Sequence, residues 1–183
     1  MIEVAVSMTI MTVAVAIFTT GLLQVYRATN LTESVGTAQA QVTAAFQRLD
    51  REVPYAAGIS VPGQIGADFY VEFLVTGTAT PTCVELRLQA SSGQLQRRSW
   101  AQGGSPLTPS AWLPMVSSVV VAAPFTRLPA DVVHNFQRLT VRLGVSAASG
   151  GSGSTRQMNV TFVALNTSLT TSSDATCVAG RSV

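Results

Sequence analysis

The chain contains no lysine, one histidine (His134) and two cysteines (Cys83, Cys177), and its 11 basic and 9 acidic residues make up only 11 % of 183 positions. An ordinary soluble domain is about 25 % charged. Each scarcity excludes something. One imidazole and two thiols leave almost no donors for a metal site or a redox centre. A net charge of +2, spread along the chain, gives no electrostatic footprint for nucleic acid. Disorder driven by high charge is excluded as well. The missing charge is replaced by hydroxyls, with 39 residues being Ser or Thr. No catalytic set, cofactor site or metal site is expected, and the chain is not read as an enzyme.

The first fifty residues are the most informative. Between Glu3 and Arg27 lie 23 uncharged positions, VAVSMTIMTVAVAIFTTGLLQVY. As a helix they would extend about 35 Å, more than a hydrocarbon core of about 30 Å. The Ser and Thr hydroxyls can bond back to the preceding turn, so they do not prevent insertion. A cleaved signal peptide would call for a basic start, a shorter apolar core and a small-residue cleavage site. Here the run passes without a break into a second pattern. Leu31, Val35, Ala38, Val42, Ala45 and Leu49 recur at 4-3-4-3-4 spacing, with Phe46 and Val53 beside them. That is a narrow apolar stripe on a helix, and Pro54 should end it. The spacing predicts one helix over residues 2–53, apolar all round in its first half and amphipathic in its second.

Glu3 is the exception in the apolar segment. Carried to mid-bilayer, a carboxylate costs about 2.5–3.5 kcal/mol on insertion scales. It stands either as an interfacial acid just outside the lipid or as a charge kept for a partner cation. Ile2-Glu3-Val4, followed by Ala, Val, Ser, Met, Thr and Ile, resembles the amino terminus of type IV pilins and of the pseudopilins of type II secretion. In that family a leader ending in Gly is cut before a Phe-Thr-Leu-Ile-Glu run that opens a long apolar helix. Ile2 and Glu3 match that run, and Met1 stands where Leu is usual. The leader and its glycine are not among these residues, so the expectation is a start at an internal Met or a leader already removed. The resemblance covers residues 1–53. It implies that Glu3 pairs with the N-terminal amine of a neighbouring subunit in a filament, where two desolvated charges are tolerable only as a pair.

Beyond Pro54 the period changes. Residues 55–68 read as a Gly- and Pro-punctuated connection. Strands are predicted at 69–75 (FYVEFLV), 84–88 (VELRL), 95–100 (LQRRSW), 115–122 (MVSSVVVA), 138–145 (RLTVRLGV) and 158–165 (MNVTFVAL). The alternation in VELRL and LTVRL is that of half-buried antiparallel strands. Ala90-Ser-Ser-Gly93 closes one hairpin and residues 146–155 (SAASGGSGST) another, longer one. The expected fold is α+β: a long N-terminal helix, membrane-spanning then amphipathic, packed on one antiparallel sheet of five or six strands. The expected divisions are 1–26 (membrane and filament core), 27–53 (amphipathic half) and 54–183 (β-rich head). The stretches LRLQASSGQLQRRSW, AWLPMVSSVVV and TFVALN resemble J-type pseudopilins and minor pilins, in strand order rather than in a sharp motif.

Smaller signals weigh little. His134 with Asp131 and any serine could be drawn as a triad, but no GxSxG elbow accompanies them, and a hydrogen-bonded loop histidine is the expectation. The Gly/Ser run at 150–155 lacks the lysine and the strand–loop–helix setting of a phosphate loop. Three Asn-x-Ser/Thr matches, at Asn30, Asn159 and Asn166, arise readily by chance in a Ser/Thr-rich chain. Arg97-Arg98 with Trp100 suits a polar strand face with a packed tryptophan, or a DNA contact in an uptake pilus. For a head exported to an oxidising compartment, Cys83 and Cys177 are expected to form a disulfide; the alternative is two free thiols in a cytosolic chain. Arg27, Arg48 and Arg51 follow the apolar run and no base precedes it, which taken alone would keep the head in the cytoplasm. A basic leader upstream would reverse that.

The resemblance thus implies a minor pilin or pseudopilin of a type IV pilus or type II secretion filament. Its partners would be other such subunits, the cytoplasmic membrane before assembly, and DNA or a secreted substrate. Its location would be single-pass in the cytoplasmic membrane with an extracytoplasmic head, then an extracellular or periplasmic filament. The alternatives are a major pilin, a membrane-tethered binding module that never polymerises, and an anchored hydrolase.

Overall fold

The apolar run and the stripe behind it form one α-helix, α1 (Ile2–Glu52), followed by a 3₁₀ turn (Val53–Tyr55) at the predicted proline stop. The computed structural model describes residues 2–77, 79–146, 155–172, 174 and 176–182, with the backbone alone at 31, 32, 34, 35, 146, 155 and 156. By internal contacts the chain divides into two units, Met1–Thr37 and Ala38–Val183.

In the first unit the apolar side chains are exposed, from Val4 and Met8 through Phe18 to Val25 and Tyr26. Ile2–Asn30, 29 residues, is long and apolar enough to cross a membrane. The hydroxyls behave as the sequence suggests: Ser7, Thr9, Thr12, Thr19, Thr20 and Thr29 each donate to the carbonyl four residues earlier, at 2.8–3.0 Å. Their polarity is satisfied inside the helix, as a lipid environment requires.

The second unit holds the end of α1 and nine strands: β1 (Ala56–Ile59), β2 (Gly63–Ile65), β3 (Asp68–Val75), β4 (Thr82–Gln89), β5 (Gln94–Ala101), β6 (Leu113–Val116), β7 (Phe125–Leu128), β8 (Gln137–Ser146) and β9 (Thr155–Ala164). They make two antiparallel sheets where one was expected. The larger runs β1-β3-β4-β5-β6, with β2 sharing the outer edge of β3 with β1; the smaller runs β7-β8-β9. The α+β class holds. The predicted strand at 115–122 is cut short because Ser118 takes a left-handed φ of 58°, after which Val119 forms a single bridge to Val145. Gly93, also left-handed, closes the β4–β5 hairpin as predicted. Its bare Cα lets the Val119 backbone approach, and Val119 N donates to Gly93 O at 2.8 Å. Residues 147–154, read as a loop, lie outside the described residues; the strands on either side pair through Ser146 and Thr155.

The core lies where the stripe on α1 meets both sheets. Val42, Ala45, Leu49 and Val53 are buried against Val71, Phe73, Val84, Leu86 and Leu95 of the larger sheet and Leu139, Val141, Leu143 and Phe162 of the smaller. Ala38 and Phe46 pack at its margin, Phe46 tilted on Phe162 with ring centroids 6.0 Å apart. The side chains of Leu31 and Val35, the first two stripe positions, lie outside the described set.

Candidate functional site

Two features of the fold carry functional weight: the exposed apolar helix with its one acid, and a charged sheet face sealed by the C-terminal tail. Glu3 sits in the first turn of α1, where a carboxylate favours the helix dipole. It is exposed, and among the described residues nothing forms an ion pair with it.

The sealed face was not foreseen. VELRL was expected to turn its polar residues to water. Instead β3 and β4 place Glu72 directly opposite Glu85, β5 places Arg98 opposite Glu85, and all three are buried. Like charges opposed across strands are destabilising, and burial adds a desolvation cost. Two arginines compensate. Arg98 Nε donates to Glu85 Oε2 at 2.5 Å, and Arg98 Nη2 donates to the Gly180 carbonyl. Arg181 grips Glu72 with both arms, Nε to Oε1 and Nη2 to Oε2, each at 2.6 Å, and Nη2 also reaches the Val61 carbonyl. Ser60 Oγ donates to the same carboxylate at 2.6 Å. Burial is the largest influence on Glu85 and pushes its carboxyl above the ordinary value, against the pull of Arg98; Glu72 adds to the rise.

Close approach of the tail depends on two glycines. A Cβ on Gly180 would enter the Trp100 ring, and one on Gly63 would enter the Arg181 guanidinium. The expected disulfide is present: Cys83 of β4 is bonded to Cys177, just ahead of the 3₁₀ turn Val178–Ser182 that carries Gly180 and Arg181. Closing a loop across 94 positions contributes about 4–5 kcal/mol in the chain-entropy model. The guanidiniums of Arg87 and Arg98 both stack on the Trp112 ring, 4.1 and 4.2 Å from its centre. Acids set among the apolar residues of two strands, Glu72 in VEFLV and Glu85 in VELRL, were the signal that could have revealed this cluster.

Arg97 and Arg98, weighed as a DNA contact, are both buried and face opposite sides of β5: Arg97 Nε meets Glu52 Oε2 at 3.0 Å, and Arg98 meets Glu85. Trp100 is buried under Gly180. His134 is the hydrogen-bonded loop residue expected. Asp131 Oδ1 accepts the backbone N–H groups of Val133 and His134 at 2.8 and 2.7 Å, and these bonds hold Asp131 below its usual range. Among the described residues no three His, Cys, Asp or Glu come together as a metal site would require. No family model, curated protein or solved structure matches the chain.

Proposed function

We propose that the chain is a filament subunit, a minor pilin or pseudopilin of a type IV pilus or type II secretion filament. The observation that carries this is the first unit of the chain. It is a helix with 29 apolar-rich residues exposed all round, in which Glu3 is the one acid, and no break before the stretch that docks on the β-rich head. Such a surface must be covered by something other than water. Lipid covers it in the membrane, and like helices would cover it in a filament core. Glu3 is costly in lipid and tolerable beside a neighbour's cation, so it favours the second environment once assembly begins. The Cys83–Cys177 disulfide supports a head on the oxidising, extracytoplasmic side of the cytoplasmic membrane.

The test uses Glu3→Gln and Glu3→Ala in a cell that assembles the filament. Both variants should remain in the membrane fraction and fall at least about tenfold in sheared filaments, the scale of losing one desolvated pair. Incorporation of either variant at the wild-type level would rule out the role given to Glu3. A simple tether would be indifferent to the change, and its wild-type form would be missing from the filaments.

A further inference from the structure

The last turn of α1 and the end of the β3–β4 hairpin border a half-open cavity of about 320 Å³, lined among others by Arg51, Arg97, Tyr55, Val75, Thr82 and Val84. Its volume is at the lower end of small-ligand sites. The side chain of Arg97 is 10 % exposed. Its Nε is committed to Glu52 Oε2, while its two terminal nitrogens have no acceptor among the described residues and are not sealed from solvent. The carboxylate beside it is already spent: Glu52 Oε1 takes Arg48 Nε at 3.1 Å and Oε2 takes Arg97 at 3.0 Å. Arg51, exposed in the same turn, has no ion pair among the described residues. The cavity lining therefore holds two guanidiniums, Arg51 and Arg97, against one carboxylate that Arg48 also engages from outside it, leaving a surplus of positive charge at the cavity. The facing wall is apolar, built by Val75, Val84 and the Tyr55 ring.

We propose that this cavity binds a small monocarboxylate with a branched aliphatic body, its carboxylate held by Arg97 and Arg51 and its body against Val75, Val84 and Tyr55. A guanidinium fork matches a planar carboxylate in two parallel hydrogen bonds. A doubly charged phosphate needs donors on every side and would lose hydration against the apolar wall without compensation. The site is independent of the filament proposal, because every residue lining it belongs to the second unit, Ala38–Val183, and none to the apolar run of α1.

The test is a titration of the ¹⁵N-labelled full chain in detergent micelles with 3-methylbutanoate, following the Gly77 and Thr82 amides. Saturable shifts with a dissociation constant on the order of 1–10 mM are expected, as befits seven heavy atoms. The neutral amide 3-methylbutanamide and inorganic phosphate should each bind at least about tenfold more weakly, since one lacks the charge and the other the body. Arg51→Gln removes an exposed group without a described partner, so it should leave the fold intact and weaken binding at least about fivefold. Arg97→Lys keeps the charge beside Glu52 but loses the fork, and should weaken binding similarly. The site is refuted by absence of saturation, by equal shifts from acid and amide, by phosphate binding as tightly as the acid, or by unchanged affinity in Arg51→Gln. If Arg97→Lys does not fold, Arg51→Gln decides alone.

Discussion

Glu72 and Glu85 face one another across β3 and β4 with no exposure of either side chain, and the fold accommodates them by giving each its own arginine. The two solutions differ. Glu72 is enclosed by Arg181, Ser60 and the strand backbone, whereas Glu85 has one partnered oxygen and one, Oε1, with no partner among the described residues. At Glu85 desolvation prevails over the Arg98 hydrogen bond and raises the carboxyl above the ordinary value of 4.5. A proton is then held more tightly in the folded chain than in the unfolded one. The resulting contribution to stability is full below pH 4.5 and is lost as pH rises through the raised folded value. In Glu85→Gln nothing titrates at this position. The wild-type-minus-variant difference in unfolding free energy should therefore decrease as pH climbs from about 4 to 7.5, measured by denaturant titration in micelles. A difference that grows with pH would mean that the Arg98 pairing outweighs burial. Asp131 acts in the opposite sense, since its lowered carboxyl contributes above pH 3.8 and loses that contribution as pH falls. It is on an exposed loop common to both proteins and cancels in the difference.

At the scale of elements, the second half of α1 is held by its stripe. Leu49 is fully buried where the stripe meets both sheets. Leu49→Ala should cost about 2–5 kcal/mol of head stability, the transfer term plus an incompletely collapsed cavity. A loss under about 1 kcal/mol in thermal or denaturant unfolding would show that the stripe is not the anchor. The helix, its proline stop and the five longest strands were legible because each is governed by its own periodicity. The short strands β1, β2 and β7 were not. Ala56-Ala-Gly-Ile59 and Gly63-Gln-Ile65 carry no alternation, and exist because the outer edge of β3 offers them a ladder. The sealed face was hidden for a related reason. Alternation in VELRL marks two faces of a strand, but not whether a tail more than 90 residues away will cover the polar one. The disulfide pairing was legible because only two cysteines are present; the Arg181–Glu72 grip that accompanies it was not.

For the whole molecule, the low charge has two origins. The apolar helix accounts for the long uncharged run after Glu3. In the head, Glu72, Glu85 and Arg98 are buried and paired internally, which takes three of its already sparse charges away from water. The head is stapled to itself by Cys83–Cys177 and the tail that follows, while the apolar run of the helix is exposed among the described residues. A subunit built to meet like helices has this division of labour. The most direct test places a photo-crosslinking residue at Val13, which is 53 % exposed in the apolar run, and irradiates intact cells before filaments are sheared and purified. The expected result is a covalent adduct between this chain and the apolar helix of another subunit in the filament fraction, absent when Glu3→Gln is present as well. Adducts to lipid alone, with the chain confined to the membrane fraction, would contradict the proposal that it is a filament subunit.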